Sequence, residues 1–421
     1  MIGGDIMQIT TFGAIFGLLI AIILIIKKFQ AVYSLMLGAF IGGLVGGANI
    51  TQTVDFMANG AMNISPSILR ALASGVLAGS LIKTGAVDKI SEQIVKIFGE
   101  KRALFSIAIS TMVLAGVGVN LDVSIITVAP IGLYIGRKLN YSKLSILLAM
   151  LGGGKAGNII SPNPNTIAVA DNFSVNLSSV MMANIIPAII GVVITVILAS
   201  ILINKGNKVQ SYEILEQRED LPSLFKSLCG PIIAIFLLFL GNVSPIVIDP
   251  MIALPIGGIV TLIVTGNLNN SREYLAFGLS KMQGVCILLL GTGTIAGIIQ
   301  MSELQQSTIG ALQFLNMPQF LLAPVSGILM SLATASSTAG ATIASSTFHD
   351  AIINGGLSPI SGASIVNAGS SVFEQLPHGS LFHTSSGSIN MDIGERFKLI
   401  PYEALIGIVM TIISTSIQLV L

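Results

Sequence analysis

Residues 152–173 read GGGKAGNIISPNPNTIAVADNF, and this stretch decides how the chain folds. It lies between apolar segments, yet it contains three consecutive glycines, a lysine, two prolines and four asparagines. Pro162 and Pro164 each remove a backbone donor and block a continuous helix. Helix packing alone would explain Gly152–Gly154, but it would not explain the SPNPNT sequence that follows. We therefore predict two half-helices separated by an extended break within Lys143–Asn172.

The composition identifies a membrane protein. Of the 421 residues, 53% are hydrophobic and only 9% are charged, whereas soluble domains carry about 25% charged residues. Several runs without any charged residue approach the roughly 20 residues that a helix needs to cross a bilayer. We expect an all-α polytopic protein in which the first run is retained as a span. These runs are Ile9–Ile26, Ser178–Asn204, Pro250–Ser271, Met282–Ser302 and Ala404–Leu421.

Basic residues indicate the topology, because short cytoplasmic loops are enriched in Lys and Arg. Of the 20 basic residues, only Arg70 and Lys155 fall outside six clusters on alternate loops. The arrangement that satisfies this pattern places both termini outside and the 205–226 segment in the cytoplasm. The clusters are Lys27/Lys28, Lys83–Arg102, Arg137–Lys143, Lys205–Lys226, Arg272/Lys281 and Arg396/Lys398.

One apolar stretch is flanked by basic residues at both ends, Arg102 and Arg137. A re-entrant hairpin that enters and leaves on the same side satisfies this pattern, with its tip at GVNLD, Gly118–Asp122. Irregular backbone at that depth is tolerated only inside protein or beside a wet cavity. Two short full crossings are the alternative.

The two halves of the sequence resemble each other when they are aligned without a gap. Arg102–Gly132 then falls on Gln319–His349, which places the first tip opposite ASSTAG, Ala335–Gly340. The same alignment places SPNPNT opposite LPHGSLFHTSS, so we expect a second break there. Each half would contain about five spans plus a re-entrant hairpin, and an odd number of crossings would invert the second copy.

This repeat divides the chain into three parts. Residues 1–204 are expected to form the first transmembrane repeat, and residues 227–421 the second, inverted one. The 205–226 segment carries eight charged residues and is expected to be a cytoplasmic linker.

The predicted breaks suit ion binding. A half-helix that begins near Thr166 would present free N–H groups and a positive dipole to an anion. Half-helix C-termini and free carbonyls would suit a cation. Small polar residues at the breaks could bind a polyhydroxy acid, or could instead mediate helix packing. The candidates are Asn120, Asn163, Asn165, Thr166, Ser336, Ser337, Thr338 and Gly379.

Ionisable residues within spans are costly, and they are therefore functional candidates. Asp122 at the first tip could take a proton, hold a cation, or cap the following half-helix. Glu374 is the only charged residue in Ser361–Leu376; it could carry a proton or be a hydrogen-bonded structural group. We favour Asp122 as the coupling residue, because it adjoins a hairpin tip.

Two histidines and a lysine complete the candidate site. His378 and His383 could bind a carboxylate when protonated, or could simply be hydrogen-bonded. Their spacing, without a nearby cysteine, does not favour a metal site. Lys155 lies mid-span and could neutralise a substrate carboxylate or pair with Asp122 or Glu374.

Three further polar residues are expected near the outer face. Arg70 would anchor its span at the interface, while Asp171 and His349 would be solvated.

Three stretches resemble the gluconate permease (GntP) family, within the ion transporter superfamily. They are NLDVSIITVAPIGLYIGRKL, ISPNPNTIAVADNF and QLPHGSLFHTSSGSINMDIGERFKLIPYEALIGIV. The resemblance implies proton-coupled uptake of small hydroxy- or sugar-carboxylates. It also implies a homodimer with paired re-entrant hairpins and elevator-like alternating access. The chain departs from gluconate members at HGSLFHT, where the second histidine and Phe382 are expected to alter the pocket.

We therefore expect a secondary symporter for a small organic anion in a bacterial cytoplasmic (inner) membrane, coupled to H⁺. The alternatives are Na⁺-coupled carboxylate symport and cation/proton antiport on the same fold. The sequence contains no histidine–metal cluster, nucleophile elbow or GxxxxGK[ST] loop. We accordingly expect neither an enzyme nor ATP-driven transport, and no cofactor, metal or nucleic-acid partner.

Overall fold

The computed structural model describes residues 9–27, 29–99, 102–210, 220–244, 246–304, 307, 310, 318–377 and 379–420. Within these ranges the chain forms α-helices, short 3₁₀ turns and two isolated bridges, and no strand. The all-α prediction is confirmed for this part of the chain.

The helices are numbered in chain order. They are α1 (Thr11–Ile26), α2 (Ala31–Val45), α3 (Ile50–Asn63), α4 (Ser65–Lys83), α5 (Ala86–Phe98), α6 (Ala103–Gly116), α7 (Leu121–Lys138), α8 (Lys143–Asn158), α9 (Pro164–Asn172), α10 (Leu177–Ala183), α11 (Ile185–Ile201), α12 (Leu224–Val243), α13 (Pro250–Val264), α14 (Ser271–Gln300), α15 (Leu322–Thr334), α16 (Ser337–Asn354), α17 (Pro359–Ser370), α18 (Ser380–Ser388), α19 (Ile393–Arg396) and α20 (Ile400–Val420).

Several helices are shorter than the uncharged runs that predict them. The first run gives α1 with 16 residues, and Pro250–Ser271 gives α13 with 15, because the chain turns at Gly266 with φ +74°. Three described helical segments are each long and apolar enough to cross a bilayer alone: Ser65–Lys83, Leu268–Gln300 and Ile393–Val420. Helices α10 and α11 meet at a bend of 44° and could together form a fourth span.

The GGG sequence lies in α8, whose residues are all buried. A Cβ added at Gly152 would collide with Thr195 of α11, and one at Gly153 with the backbone of Ala108 in α6. A Cβ at Gly154 would collide with Leu121 at the start of α7. Three consecutive glycines therefore let three different helices approach α8 closely. Helix α20 also packs against α8.

Helix order recurs along the chain. Helices α6 and α7 are joined by a short turn, and so are α15 and α16. Two broken spans follow, α8–α9 and α17–α18. The start of α7 at Leu121 corresponds to the start of α16 at Ser337, and the start of α9 at Pro164 corresponds to that of α18 at Ser380. Each pair agrees with the alignment of the two halves to within a single position, so these bounds support it.

The outer helices expose large apolar side chains. Phe12 of α1 is 67% exposed, Phe236 of α12 is 62% exposed and Ile263 of α13 is 56% exposed. Large apolar side chains exposed on several helices are costly in water and suit a lipid environment. Helix α14 packs against α2, α3 and α4 on one side and against α16 on another.

Candidate functional site

Four helices begin at one cavity with a volume of about 350 Å³. Helices α7 and α16 follow hairpin tips, whereas α9 and α18 follow breaks in the spans. Helix α14 forms another wall. The lining residues are Asn120, Leu121, Asp122, Asn158, Asn163, Pro164, Asn165, Lys281, Gly284, Val285, Leu288, Ala335, Ser336, Ser337, Thr338, Glu374, Ser380 and Leu381.

The first tip connects α6 to α7. Gly118 has φ +100°, a conformation that glycine adopts without a Cβ penalty. Asn120 is the N-cap residue of α7, although its side chain makes no capping hydrogen bond. Asp122 lies in the first turn, where its Oδ1 accepts a hydrogen bond of 2.9 Å from Val123 N. The prediction that Asp122 caps α7 is therefore wrong, because the N-cap residue is Asn120.

The first break connects α8 to α9. Helix α9 begins at Pro164, slightly before the predicted start near Thr166. Asn163 Oδ1 caps it by accepting hydrogen bonds from Thr166 N and Thr166 Oγ1, both at 3.1 Å. Asn158, Asn163 and Asn165 line the cavity, whereas Thr166 is fully buried behind it.

A buried amide that the sequence analysis missed joins the two broken spans. Asn367 of α17 donates from Nδ2 to Ile159 O at 3.1 Å and to Thr166 Oγ1 at 3.3 Å. Its Oδ1 accepts a hydrogen bond of 3.0 Å from Asn165 Nδ2. The available signal was an asparagine in a segment that otherwise holds only small and apolar residues.

The second tip connects α15 to α16. Ala335 adopts φ +47°, and Ser336 Oγ caps α16 by accepting a hydrogen bond of 3.3 Å from Ala339 N. Asn158 Nδ2 donates to Ser337 Oγ at 3.2 Å, which joins the first break to the second tip. Ser336, Ser337 and Thr338 all line the cavity.

The second break packs against the second tip. A Cβ at Gly379 would lie 2.7 Å from the Cβ of Ala335, so this close approach requires glycine. Because Gly379 is the N-cap residue, no side chain caps α18. His378 lies outside the described residues.

Gly379 and His383 line an adjoining cavity of about 670 Å³ rather than the first one. Ser336 and Ser380 line both cavities. His383 is exposed, and its Nε2 lies 2.8 Å from Pro377 O. Phe382 lines neither cavity: it is fully buried, 4.9 Å from the Arg396 guanidinium.

Lys155 and Glu374 meet behind the cavity. Lys155 is fully buried, and its Nζ lies 3.3 Å from Glu374 Oε1. The ammonium donates hydrogen bonds to Ser371 O and to Gln375 Oε1, the latter at 2.6 Å. Glu374 lines the cavity and Lys155 does not. The sequence left open whether Lys155 neutralises a substrate carboxylate or pairs with Asp122 or Glu374. In the structure it pairs with Glu374.

Helix α14 brings a cation that the sequence analysis assigned to a cytoplasmic basic cluster. Lys281 is the eleventh residue of α14 and lines the cavity beside Gly284 and Val285. Its Nζ lies 5.1 Å from the centroid of the Phe277 ring. The assignment to a loop is wrong, because α14 begins well before Lys281, at Ser271.

Helix α18 rests on a buried ion pair. Arg396 Nε donates to Ser385 Oγ at 3.1 Å, while both terminal nitrogens donate to Glu403, with Nη2 to Oε2 at 3.1 Å. Both side chains of this pair are fully buried. The pair therefore fixes α18, and with it the second break, to the start of α20.

A second polar cluster lies away from the cavity. Arg70 of α4 pairs with Asp171 of α9 and with Asp249, the N-cap residue of α13. Ser67 also donates to Asp171. Burial works to raise the pKa of Asp249, but the hydrogen bonds from Arg70, the hydrogen bond from Met251 N and the charge of Arg70 together outweigh it and lower that pKa below its ordinary value. Asp171 is thus a partner of Arg70 rather than a solvated residue.

The cavity combines positive helix ends with charged groups of both signs. Each helix N-terminus carries the equivalent of about half a positive elementary charge. Four such termini face the cavity, two of them without a capping side chain. Lys281 adds a full charge, while Asp122 and Glu374 supply carboxyl groups. The described residues contain no group of three or more His, Cys, Asp or Glu side chains placed to hold a metal ion.

Comparisons with known proteins agree with this arrangement. Residues 7–421 match the GntP family of permeases. An uncharacterized transporter of Haemophilus influenzae is 50% identical over 97% of this chain and 98% of its own length. The Gnt-II system L-idonate transporter of Escherichia coli is 22% identical, over 60% of this chain and 62% of its own. The low-affinity gluconate transporter of Escherichia coli is also 22% identical, over 43% and 41%.

A solved structure shows the same fold at low sequence identity. The YdaH transporter of Alcanivorax borkumensis aligns with a TM-score of 0.60 and 14% identity, covering 86% of each chain. The family match spans nearly the whole sequence, and it confirms the resemblance seen in the three motif stretches. This chain therefore belongs to the GntP family of permeases, a family of membrane transporters.

Proposed function

We propose that this chain is a secondary symporter that takes up a small organic anion, a hydroxy- or sugar-carboxylate, together with H⁺. Family membership supports transport, and relatives named for gluconate and L-idonate support the substrate class. The proposed location is the bacterial cytoplasmic membrane, with both termini outside.

One observation carries the proposal: four helix N-termini and a lysine surround one small polar cavity. The N-terminus of a helix favours negative charge, because its first N–H groups have no intrahelical acceptor. The carboxylate of the substrate would lie near these termini. Hydroxyl and amide groups of Asn163, Asn165, Ser337 and Thr338 would bind its hydroxyl groups. The volume of about 350 Å³ suits a small ligand.

The two carboxyl groups at the cavity supply a site for the coupling proton. Asp122 lies beside the first tip, and Glu374 lies beside the second break. A proton bound at either one cancels a negative charge and lowers the cost of moving the site through apolar surroundings.

The proposed mechanism is elevator-like alternating access in a homodimer built from two inverted repeats. The recurrence of α6–α9 as α15–α18 supports the repeat, and the short first helices of the two hairpins, α6 with 14 residues and α15 with 13, support re-entrant loops. The hairpins and broken spans would move together, and α14 would belong to the wall past which they move. The 205–226 segment would link the repeats.

Substrate screening tests the proposal. The purified protein is heated with a panel of carboxylates that includes gluconate, L-idonate, a dicarboxylate and a simple fatty acid. We expect gluconate-like acids to raise the unfolding temperature and the fatty acid to leave it unchanged. Stabilisation by no carboxylate, together with stabilisation by Na⁺ alone, would support cation/proton antiport instead.

Proteoliposomes then identify the coupling ion. An imposed inward proton gradient should drive accumulation of radiolabelled gluconate at equal Na⁺ on both sides. Accumulation that follows a Na⁺ gradient and ignores the pH gradient would replace H⁺ by Na⁺ in the proposal. Exchange without accumulation under either gradient would contradict symport.

A further inference from the structure

Resting on the proposed function, we infer that Glu374 is the residue that binds the coupling proton and that Lys155 is the charge which this proton exposes to the substrate. The inference assigns the two members of one buried pair to two steps of transport. It places coupling at the second break rather than at Asp122.

The hydrogen bonds of Lys155 do not depend on Glu374. Its ammonium group donates to the carbonyl oxygen of Ser371 and to the amide oxygen of Gln375, and both acceptors are neutral. The lysine is fully buried in α8, so water cannot replace these partners. Lys155 therefore keeps two hydrogen bonds whether Glu374 is charged or neutral.

Glu374 is held differently. Its Oε1 lies 3.3 Å from the Lys155 nitrogen, yet among the described residues this oxygen accepts no hydrogen bond. Only 3% of the side chain is exposed, and that side chain lines the cavity. A buried carboxylate oxygen without a hydrogen bond carries a desolvation cost that only the nearby ammonium offsets. Glu374 thus stands between a buried cation and the substrate cavity.

Protonation of Glu374 changes what an anion in the cavity experiences. While Glu374 is ionised, its charge cancels that of Lys155, and the pair contributes little attraction. Once Glu374 binds a proton, the charge of Lys155 is no longer cancelled within the pair. At an effective dielectric constant of about 20, a unit charge within about 10 Å of a carboxylate changes its affinity by more than tenfold. The anion therefore binds tightly only after the proton.

This order keeps the net charge of the site constant. The empty site with the ionised pair carries the same charge as the site loaded with one proton and one carboxylate. The empty site and the fully loaded site can therefore cross between the two sides of the membrane at the same electrostatic cost. A site that holds only the proton, or only the carboxylate, carries an extra charge. Obligatory coupling follows from this balance.

Other charged groups line the same region, and the experiment must distinguish Glu374 from them. Asp122 of α7 and Lys281 of α14 line the cavity, and His383 of α18 lines the adjoining one. The Arg396–Glu403 pair lies behind α18 and is already compensated. His378 lies outside the described residues, so the experiment must also be able to detect a proton bound there.

The experiment measures gluconate affinity of the purified protein against pH. If binding takes up one proton, the dissociation constant of the wild type rises tenfold per pH unit above the pKa of the binding group. Calorimetry in two buffers of different ionisation enthalpy counts the protons taken up per gluconate. We expect one proton for the wild type and one for Asp122→Asn. Glu374→Gln mimics the protonated form; it should take up none and bind gluconate with a pH-independent affinity.

Lys155→Met provides a second reading if Glu374→Gln cannot be purified. Without the buried cation, protonation exposes no charge, so the tightest affinity reached at low pH should fall at least tenfold. A Lys155→Met protein that reaches the wild-type affinity would overturn the role of the lysine. Retention of the proton by Glu374→Gln, or its loss in Asp122→Asn, would place the coupling site elsewhere.

The result also separates this inference from the proposed function. If the wild type binds gluconate without proton uptake, anion transport stands and the inference fails. If neither gluconate nor any other carboxylate of the panel binds the wild type, the proposed function fails first.

Discussion

Replacing Gly153 by alanine tests the close approach of α8 to the first hairpin. An added Cβ would lie 2.7 Å from both the carbonyl carbon and the Cα of Ala108, and closer still to its carbonyl oxygen. Real Cβ atoms essentially never come within 3.0 Å of such atoms, and ordinary contact begins at 3.4 Å. Helices α6 and α8 must therefore separate by about 0.7 Å or more, because a backbone segment cannot rotate away as a side chain does.

The expected change in folding stability is the sum of two opposing contributions. Alanine gains about 1 kcal/mol over glycine inside a helix. Overpacking costs about 1–3 kcal/mol, and a rigid backbone contact lies at the upper end of that range or beyond it. We expect Gly153→Ala to lose about 2 kcal/mol of stability. The matched control is Gly387→Ala in α18, where the added Cβ meets no described atom within 4 Å and only the helix gain remains.

The assay is thermal unfolding in detergent followed with a thiol-reactive dye. The chain has no tryptophan, but its two cysteines, Cys229 and Cys286, report unfolding as they become accessible. Gly153→Ala should unfold at a clearly lower temperature than the wild type, and Gly387→Ala at the same or a higher one. Equal unfolding temperatures for the two variants would refute the packing argument.

Three further outcomes are expected. Glu403→Gln leaves the buried Arg396 guanidinium without its counter-charge and should cost about 3–5 kcal/mol, whereas replacing both partners by apolar residues should restore much of it, as measured by thermal unfolding. Asn367→Leu removes the hydrogen bonds that join the broken spans; it should cost about 1–3 kcal/mol and lower uptake, and unchanged unfolding would contradict this. Ser337→Ala should weaken gluconate affinity several-fold in equilibrium binding while leaving membrane abundance unchanged, and an unaltered affinity would place the substrate elsewhere.

Features of the sequence itself, namely paired prolines, flanking basic residues and the alignment of the two halves, made the breaks and tips predictable. Two prolines only two residues apart predicted the first break, and the helical span is indeed broken between Asn158 and Pro164. The single prolines Pro130, Pro231 and Pro255, by contrast, lie inside helices. The first tip was predicted from the basic residues at both ends of its apolar stretch, and Gly118 there adopts φ +100°, which is costly for other residues. The alignment of the two halves of the sequence then located the second tip and the second break without any knowledge of contacts.

Long-range partners could not be predicted in this way. A lysine in the middle of a span must find an acceptor, but the partners of Lys155 lie in the other half of the chain and depend on how α8 packs beside the second break. Lys281 was misassigned because it was grouped with Arg272, nine residues earlier, whereas helix α14 begins at Ser271 and carries Lys281 to the cavity. Asn367 forms hydrogen bonds with Asn165, with Thr166 and with the Ile159 carbonyl, all in the first broken span. Nothing in the sequence around Asn367 indicates these partners.

The Arg70 cluster bears on the rate of the proposed transport cycle rather than on substrate affinity. Arg70 holds α9 to α4 and to the start of α13, through carboxylates on two separate elements. Any sliding of α9 along α4 breaks the contact with Asp171 before a new one forms. A partly exposed ion pair of this kind contributes about 0.2–1 kcal/mol, and a barrier raised by ~1 kcal/mol slows a step about fivefold. If α9 moves against α4 in the proposed elevator-like cycle, breaking this cluster would be part of the barrier to that movement, and removing Arg70 would speed turnover without changing the affinity for the transported anion.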